Sequence, residues 1–265
     1  MGQSVRRKQG ARSTEHEEPV AEQVPVAEHE QPVPDQEEKI AEQEPAPELI
    51  QDLGEVLKNM NTLSSRHMAL KAAMDLWNNG SEINQYLDNM GNDQVFFRLA
   101  AKQNGLLIHR IEDDLNLVKV LDLPAILECY LPGGQSPRYL TVSKMDEEKI
   151  TLKGLGGADA IIVEREKLES FWSGVAYIPW KNFLNYVGTI PKNAPRDSII
   201  TLKMFMKGIG FNEIEISPHY DKQTREAVKE VQGRHGLLAD GKVGPLTKII
   251  LYNEKKSLKI PHISD

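Results

Sequence analysis

The stretch that decides the fold of the C-terminal part is YDKQTREAVKEVQGRHGLLADGKVGPLTKIILYN, residues 220–253. Asp221 precedes an apolar pattern with helical spacing and can cap the free amides of the first turn, and Gly236 suits the end of that helix. An Asp-Gly dipeptide follows, which is typical of a turn because glycine supplies a positive φ. Pro245 fits the first position of a second helix, where its missing N–H costs nothing. The stretch therefore predicts two helices joined by a tight loop.

A third helix is predicted just before this stretch. The segment SIITLKMFMKGIGF, residues 198–211, places apolar side chains at helical spacing and ends near a glycine. Its predicted buried stripe consists of Ile199, Leu202, Phe205, Met206 and Ile209. The proline-marked connector IPKNAPRDS precedes this helix. We therefore expect a three-helix domain at residues 193–256, followed by a tail at residues 257–265.

An ordered series of small, polar and apolar residues runs through the C-terminal part. Its positions are Thr224, Ala227, Val228, Gln232, Leu237, Asp240, Gly241, Val243, Gly244, Thr247 and Leu251. This series resembles the bacterial peptidoglycan-binding domain family. The chain departs from the family pattern at Val231, where an aromatic residue is usual, and at Lys203, where the first helix usually carries glutamine. We expect the first change to leave a smaller core side chain and the second to alter the ligand groove.

The resemblance implies peptidoglycan as the ligand of the C-terminal domain. The glycines and the Asp-Gly turn hold a loop against the helices and leave backbone amides and short polar side chains on a shallow surface. The candidate ligand-binding residues are Gln232, Arg234, Asp240, Gly241, Gly244 and Thr247. Asp240 and Thr247 also have a simpler interpretation, because turn and helix-start residues commonly bond nearby backbone.

Two helices separated by glycine are also typical of helix-turn-helix DNA-binding proteins. The charge pattern argues against that interpretation, because the middle helix carries Asp221, Glu226 and Glu230 among its basic residues and has no basic stripe for phosphates. The chain has a formal net charge of -7, which disfavours binding to nucleic acid or to an anionic membrane. We therefore predict no nucleic-acid partner.

Residues 49–192 combine helical patterns with strand patterns. Helical spacing comes first, in LIQDLGEVLKNMNTL, HMALKAAMDLW, INQYLDNM and DQVFFRLAAKQNG, with Ser81 as a candidate cap of the third and Gly105 as the end of the fourth. Alternation typical of strands follows, in LLIHRI, PAILECYL, RYLTVSK, KITLKGL and AIIVER. Helices followed by strands indicate an α+β fold rather than a βαβ repeat.

A second ordered series runs through this part of the chain. It consists of Trp77, LDLPAIL at residues 121–127, RYLTV at residues 138–142 and FWSG at residues 171–174. The series resembles the segment that precedes the same peptidoglycan-binding domain in the general secretion pathway A family, the assembly ATPases of type II secretion. The resemblance implies that residues 49–192 form a degenerate papain-like domain, related to peptidases that cleave double-glycine leaders.

A papain-like peptidase needs a cysteine at the start of its central helix and a histidine later in the chain. The helix DQVFFRLAA has no thiol, Arg138 stands where the resemblance places the histidine, and the usual aspartate is lost among Gly154 to Gly157. The single cysteine, Cys129, lies within a predicted strand and suits a small core residue. We therefore predict no catalytic residues and no enzyme activity.

Other kinds of site are not supported by the sequence. The histidines show no metal-ligand spacing and no G-x-x-x-x-G-K-[ST] motif is present, so we predict no metal and no cofactor. No apolar run is long enough to span a membrane, and no export signal is visible in the chain. Residues 1–48 are rich in Glu, Pro and Gln without a sustained apolar period, so we predict a disordered spacer there.

These features lead to a functional prediction. We expect a non-catalytic peptidoglycan-binding adaptor in the periplasm or cell envelope, which anchors or helps to assemble a secretion or pilus-like machine and contacts envelope secretion-system proteins. The alternative is a peptidoglycan-targeted peptidase or amidase with a site that the family pattern does not reveal. A third interpretation, a cytosolic protein that uses the three-helix domain for protein contacts, is left open by the missing export signal.

Overall fold

The computed structural model describes residues 52–77, 80–112, 114–156 and 160–264, so the predicted disordered spacer at residues 1–48 lies outside the described residues. The described helices are α1 (Leu53–Asn59), α2 (Thr62–Trp77), α3 (Asp93–Gln103), α4 (Leu115–Leu121), α5 (Arg165–Glu169), α6 (Arg196–Gly208), α7 (Lys222–Arg234) and α8 (Pro245–Glu254). The described strands are β1 (Leu107–Glu112), β2 (Ala125–Cys129), β3 (Arg138–Met145), β4 (Lys149–Lys153), β5 (Ile161–Glu164) and β6 (Trp172–Trp180). This mixture of helices and antiparallel strands confirms the α+β fold class.

Among the described residues, six strands form one antiparallel sheet in the order β1-β6-β2-β3-β4-β5. The strands β2, β3, β4 and β5 form a meander in which each strand pairs with the next. The last strand, β6, is inserted between β1 and β2. Because Trp180 at the end of β6 pairs with Leu107 at the start of β1, the chain leaves the sheet beside β1.

Side chains alternate between the two faces of the sheet, as the pleat requires. On one face, Ile126, Tyr139 and Tyr177 pack in a core with buried residues of α2 and α3. On the opposite face, Leu127 and Leu140 pack in a second core with buried residues of α1, α4 and the C-terminal helices. We call these two sides of the sheet the α3 face and the C-terminal face.

The helix predicted for INQYLDNM is wrong. The structure has only a 3-10 turn there, Gln85–Leu87, so Ser81 is not the cap of an α-helix. The guanidinium of Arg66 on α2 donates hydrogen bonds to the carbonyls of Asp88 and Met90, at 2.7 and 2.8 Å. Because these carbonyls bind a tertiary partner, the segment turns toward α2 instead of continuing as a helix.

The sequence patterns do not reveal α4, α5 or β6. β6 is the longest of the described strands, yet it contains Ser173-Gly174 and Pro179, which are typical of turns and strand edges. A register shift between Leu127 and Cys129 of β2 accommodates the first of these irregularities. Pro179 lies opposite Ile108 of β1, beyond the residues of β6 that pair with β2. Its missing N–H therefore does not interrupt the sheet.

The C-terminal part forms the predicted three helices α6, α7 and α8. Asp221 caps α7, because its Oδ1 accepts hydrogen bonds from the backbone N–H and the hydroxyl of Thr224, each at 2.8 Å. Pro245 is the first residue of α8. The predicted stripe on α6 is buried, apart from the partly buried Ile209. The helices predicted from this part of the sequence are therefore confirmed.

Hydrogen bonds hold the connector between β6 and α6 against α8 and the α7–α8 loop. The buried ammonium of Lys248 donates to the carbonyls of Tyr186 and Gly188. The backbones of Ile190 and Val243 exchange two hydrogen bonds, at 3.2 and 2.9 Å. The connector is therefore fixed on both sides of residue 189.

The C-terminal helices also share a core with the sheet. Tyr252 Oη accepts the backbone N–H of Phe183 at 3.1 Å, and Asn253 Nδ2 donates to the carbonyl of Leu121 on α4 at 2.7 Å. One hydrophobic cluster runs from α1 and α4 through the C-terminal face to α6, α7 and α8. The domain boundary between residues 192 and 193 stays a prediction, since the packing is continuous across it.

The segment after α8 packs on the sheet rather than leaving it. Ile263 is buried, and its carbonyl accepts the backbone N–H of Met145 at 2.6 Å. Asp122, which has a left-handed backbone with φ 47°, accepts the backbone N–H groups of Ile263 and Ser264 at 3.0 and 2.9 Å. His262 Nδ1 lies 2.7 Å from the same carboxylate. The predicted tail is therefore packed against β3 and the end of α4.

Candidate functional site

The side chain of Gln232 holds the loop between α7 and α8. Its Nε2 donates to Asp240 Oδ1, to the Lys242 carbonyl and to Thr247 Oγ1, at 3.0, 2.9 and 3.1 Å. Its Oε1 accepts the backbone N–H of Gly241 at 2.9 Å. Gln232 is only 3% exposed. Its amide is therefore occupied within the protein and fixes the shape of the loop.

Asp240 and Gly241 form the predicted turn. Asp240 Oδ1 accepts the backbone N–H of Lys242 at 2.8 Å, and this hydrogen bond is the main cause that lowers the pKa of the Asp240 carboxyl group. Gly241 has a φ of 68°, and an added Cβ would lie 2.6 Å from Cγ of Arg225, so a side chain would be strained and crowded there. The Thr247 hydroxyl donates to the Lys242 carbonyl at 3.3 Å. Asp240 and Thr247 thus bond nearby backbone.

A groove of about 420 Å³ lies beside this loop. Four of the six candidate residues line it, namely Gln232, Asp240, Gly244 and Thr247. Its apolar lining includes Leu238, which is 83% exposed. A concave site of this size suits a small molecule or a short segment of a polymer. The groove is therefore the candidate ligand site.

The other two candidates do not line the groove. Gly241 belongs to the turn beneath it, as its hydrogen bond to Gln232 indicates. The guanidinium of Arg234 stands over the ring of Phe211, 5.4 Å from the centroid, and lies 3.5 Å from Glu254 Oε2. Arg234 can therefore contact a ligand only where that ligand extends beyond the groove.

Lys203 does not line the groove, so the structure shows no direct contact between Lys203 and the candidate ligand site. Its side chain is fully buried, and its Nζ is 2.5 Å from Asp221 Oδ2 and 2.9 Å from Ser217 Oγ. Partial burial raises the pKa of Asp221, but hydrogen bonds from Lys203 and Thr224 outweigh it and lower the pKa to about 2. Lys203 therefore links α6 to the capped start of α7.

Two polar residues from outside the three helices also line the groove. His109 lies on β1, and Thr189 lies in the connector before α6. A Cβ added at Gly244 would lie 3.9 Å from Thr189 Oγ1, so the threonine faces the start of α8. Neither residue belongs to the motif that predicted the site. Only the packing of the C-terminal helices on the sheet brings them to the groove.

The three C-terminal helices match a known family. Residues 195–251 match the family model described as "Putative peptidoglycan binding domain". These residues form a domain of that family. The match begins one residue before α6 and ends within α8, so it covers the three helices and the loop beside the groove. No match to the chain was found among the curated proteins.

Parts of the chain are similar to solved structures. A periplasmic domain of the EpsAB fusion protein of the Vibrio vulnificus type II secretion system has a TM-score of 0.38 and 15% identity, over 60% of this chain and 67% of that chain. The peptidase domain of Streptococcus ComA, a bifunctional ABC transporter, has a TM-score of 0.37 and 21% identity, over 46% and 95%. The N-terminal peptidase C39-like domain of the toxin secretion ATP-binding protein from Vibrio parahaemolyticus has a TM-score of 0.37 and 19% identity, over 46% and 99%.

On the α3 face, away from the peptidoglycan-binding domain, the start of α3 contacts Arg66 and Tyr139. Asp93, the first residue of α3, accepts hydrogen bonds from Arg66 Nη1 and Tyr139 Oη, both at 2.7 Å. Arg138 lies on the other face of β3, where its Nε donates to the carbonyl of Leu57 at 3.0 Å. The β3 residue that faces the start of the central helix is therefore Tyr139 and not Arg138.

Cys129 is fully buried in the core of the C-terminal face. Burial raises the pKa of its thiol to about 12, with a smaller contribution from Glu128. A thiol that is protonated at neutral pH and closed to solvent is not a nucleophile. Cys129 therefore acts as a core residue.

Residues 154–156, which belong to the glycine-rich stretch where the resemblance would place the aspartate of a papain-like site, pack against α2. Gly154 has a φ of 91°, and a Cβ added there would lie 2.8 Å from Cα of Ala69. The chain therefore passes α2 too closely for a side chain at this point.

Among the described residues, no group of three or more His, Cys, Asp or Glu could hold a metal ion, and no helix has the length and apolar character to cross a membrane.

Proposed function

We propose that the protein is a non-catalytic peptidoglycan-binding adaptor of the cell envelope, which anchors or helps to assemble a secretion or pilus-like machine. The observation that carries the proposal is the family match of residues 195–251, whose α7–α8 loop borders an open groove. Peptidoglycan lies outside the cytoplasmic membrane, so the proposed location is the periplasm or envelope. Envelope secretion-system proteins are the proposed partners of the remaining surface.

The continuous core supports the role of an adaptor. An adaptor holds its partner in a defined position relative to the wall, which requires that its two parts move together. Lys248 and Asn253 bond α8 to the connector and to α4, and the hydrophobic cluster of the C-terminal face extends across both parts. The wall-binding groove therefore keeps one orientation relative to the sheet.

We propose that residues 49–192 form a degenerate papain-like domain without peptidase activity. The start of α3 presents Asp93, which is bound by Arg66 and Tyr139, instead of a thiol beside an imidazole. Cys129 lies on the opposite face with a raised pKa. Nucleophilic catalysis of the papain type needs a thiolate, and the described residues at the start of α3 include no cysteine.

Sedimentation with isolated sacculi tests the proposal. We expect the full chain to pellet with sacculi and Leu238→Glu to lower its apparent affinity about tenfold or more, because the variant places a charge in the apolar lining of the groove. The matched control is Met204→Glu, since Met204 is 58% exposed on α6 and does not line the groove. This control variant should pellet like the unchanged chain.

Two results would contradict the proposal. If the chain stays in the supernatant while a known wall binder pellets, the protein does not bind peptidoglycan. If incubation releases soluble peptides from the sacculi over time, the protein is an enzyme and the peptidase or amidase alternative is correct. Equal loss of binding in Leu238→Glu and Met204→Glu would move the binding site away from the groove.

A further inference from the structure

The position of His109 on β1 is unusual for its surroundings. Alternation along β1 places Leu107, His109 and Ile111 on the C-terminal face, and both apolar residues of this set pack in its core. His109, between them, lines the groove instead. Burial lowers the pKa of His109. Its ring is therefore neutral at neutral pH and offers one N–H donor and one acceptor.

Thr189 faces the same space from the connector. The backbone bridge between Ile190 and Val243 and the bond from Lys248 to the Gly188 carbonyl fix its position on both sides. Its Oγ1 is directed toward Gly244 at the start of α8, where the absence of a side chain leaves room. The backbone of Thr189 is therefore fixed at the wall of the groove, which places its hydroxyl beside Gly244.

The polar groups around the groove differ in their availability. The amide of Gln232 and the hydroxyl of Thr247 bond to each other and to the loop backbone. By contrast, neither His109 nor Thr189 has a side-chain hydrogen bond to any residue of the described ranges. Among the described residues that line the groove, the neutral polar side chains without a hydrogen bond within the protein are thus those of His109 on the sheet and Thr189 in the connector.

We propose that His109 and Thr189 are specificity-determining residues of the groove, and that they recognise the peptide stem of peptidoglycan rather than its sugar chain. This inference rests on the proposed wall binding and names the part of the polymer that is bound. A neutral imidazole and a hydroxyl each donate and accept, as the amide N–H and C=O groups of an extended peptide require.

The remaining lining of the groove also fits a peptide. Leu237, Leu238 and Leu246 offer apolar surface against which small side chains such as alanine methyl groups can pack, and the groove lining includes no Phe, Tyr or Trp ring on which a sugar could stack. The Lys242 side chain is 64% exposed and its Nζ is 3.6 Å from Asp240 Oδ2, so it can also pair with a ligand carboxylate. A short, apolar peptide that ends in a carboxylate matches these groups.

Binding of defined wall fragments tests this inference. Titration calorimetry with the full chain would compare a disaccharide that carries a peptide stem, the free stem peptide and a glycan strand without peptide. We expect the two peptide-containing fragments to bind and the bare glycan to bind at least tenfold more weakly. Equal or tighter binding of the bare glycan would overturn the inference.

A pair of double variants tests the two residues themselves. His109→Leu with Thr189→Val keeps the size of both side chains and removes two hydrogen bonds, so we expect about tenfold weaker binding of the stem peptide. The matched control is His219→Leu with Thr201→Val, since neither residue lines the groove. Thermal melting of both proteins should stay close to that of the unchanged chain.

The outcomes separate this inference from the proposed function. If the full chain pellets with sacculi but the His109 and Thr189 variant binds the stem peptide as tightly as its control, the inference is wrong and the wall binding stands. If the unchanged chain binds neither sacculi nor any fragment, both proposals are wrong. Selective loss of stem binding in the groove variant supports both.

Discussion

The two faces of the sheet treat their polar groups in opposite ways. On the α3 face, Arg66, Asp93 and Tyr139 bind one another, and aromatic rings such as Phe97 fill the space beside them. On the C-terminal face, His109 leaves the core pattern of its strand and opens to a groove. On the α3 face the polar side chains bind one another, whereas on the C-terminal face His109 lines a groove that is open to solvent.

This difference indicates where the molecule recognises a ligand. A binding site needs polar groups that are oriented by the protein but not consumed by it. The α3 face, where the resemblance places a peptidase centre, satisfies its charges internally. The groove beside the peptidoglycan-binding domain keeps donors and acceptors available. These contacts support the proposal that the C-terminal face recognises the ligand, and the following variants test that proposal.

The largest effect on the free energy of unfolding is expected from removing the Arg66 side chain on the α3 face. The Arg66 side chain is 3% exposed, and its guanidinium binds Asp93 and two backbone carbonyls. Arg66→Ala leaves these acceptors without their partner, so we expect the free energy of unfolding to fall by about 3 kcal/mol. Denaturant unfolding measures this change, and Arg98→Ala, an exposed arginine on α3, is the control.

Sacculus binding by the Arg66→Ala protein then tests whether the α3 face takes part in recognition. At a temperature where the variant is folded, as monitored by circular dichroism, we expect it to bind like the unchanged chain. A folded Arg66→Ala protein that fails to pellet with sacculi would show that the α3 face takes part in recognition.

A smaller effect is expected at Lys248, which supports the groove from the C-terminal face. Burial lowers the pKa of Lys248 to about 8, below the ordinary value of 10.5. Between these values the unfolded chain binds more protons than the folded one, so this group makes stability rise with pH. We expect the unfolding free energy of the unchanged chain to gain about 2 kcal/mol relative to Lys248→Met between pH 8 and pH 10.

The control for this measurement is Lys256→Met, because Lys256 is exposed just after α8. Its unfolding free energy should follow that of the unchanged chain over the same pH range. If Lys248→Met shows the same pH dependence as the unchanged chain, the buried ammonium does not titrate in this window. The ammonium would then stay protonated up to pH 10 and still donate to the carbonyls of Tyr186 and Gly188.

The smallest effect is expected at Asp221, which does not line the groove. Its folded pKa of about 2 lies below the ordinary 3.8, so its contribution is complete above pH 3.8 and is lost as the pH falls toward 2. Asp221→Asn should lower the unfolding free energy by about 1 kcal/mol at pH 7, because asparagine keeps the helix cap but removes the partly solvent-screened charge that faces the Lys203 ammonium. The difference from the unchanged chain should shrink in acid, and Asp197→Asn, an exposed carboxylate in the first turn of α6, should show no such trend.

The features that the sequence predicted well depend on neighbours in the chain. Asp221, Pro245 and the Asp-Gly turn act within a few residues of themselves, so their roles are visible in the motif. The strand β6 was hidden because Ser173-Gly174 and Pro179 are tolerated only through its pairing with β1 and β2. A local pattern carries no information about such partners.

The same reasoning explains the errors at the candidate site. Gln232 was predicted as a ligand contact, whereas its hydrogen bonds to Asp240 and Thr247 depend on how the loop folds back on α7. Lys203 departs from the family pattern because it pairs with Asp221, a contact between two helices. His109 could not be found from the motif, since only tertiary packing places β1 beside the groove.

The long-range bonds across the C-terminal face also constrain the order of folding. Asn253 reaches back to Leu121, and Ile263 reaches back to Asp122, so these contacts close very large loops. Contacts of this kind form late, and the C-terminal helices leave the ribosome after the sheet. During synthesis the part of the C-terminal face that α1 and α4 do not cover therefore stays exposed until α8 arrives. In that interval the groove does not yet exist, because the α7–α8 loop and the start of α8 form part of its lining.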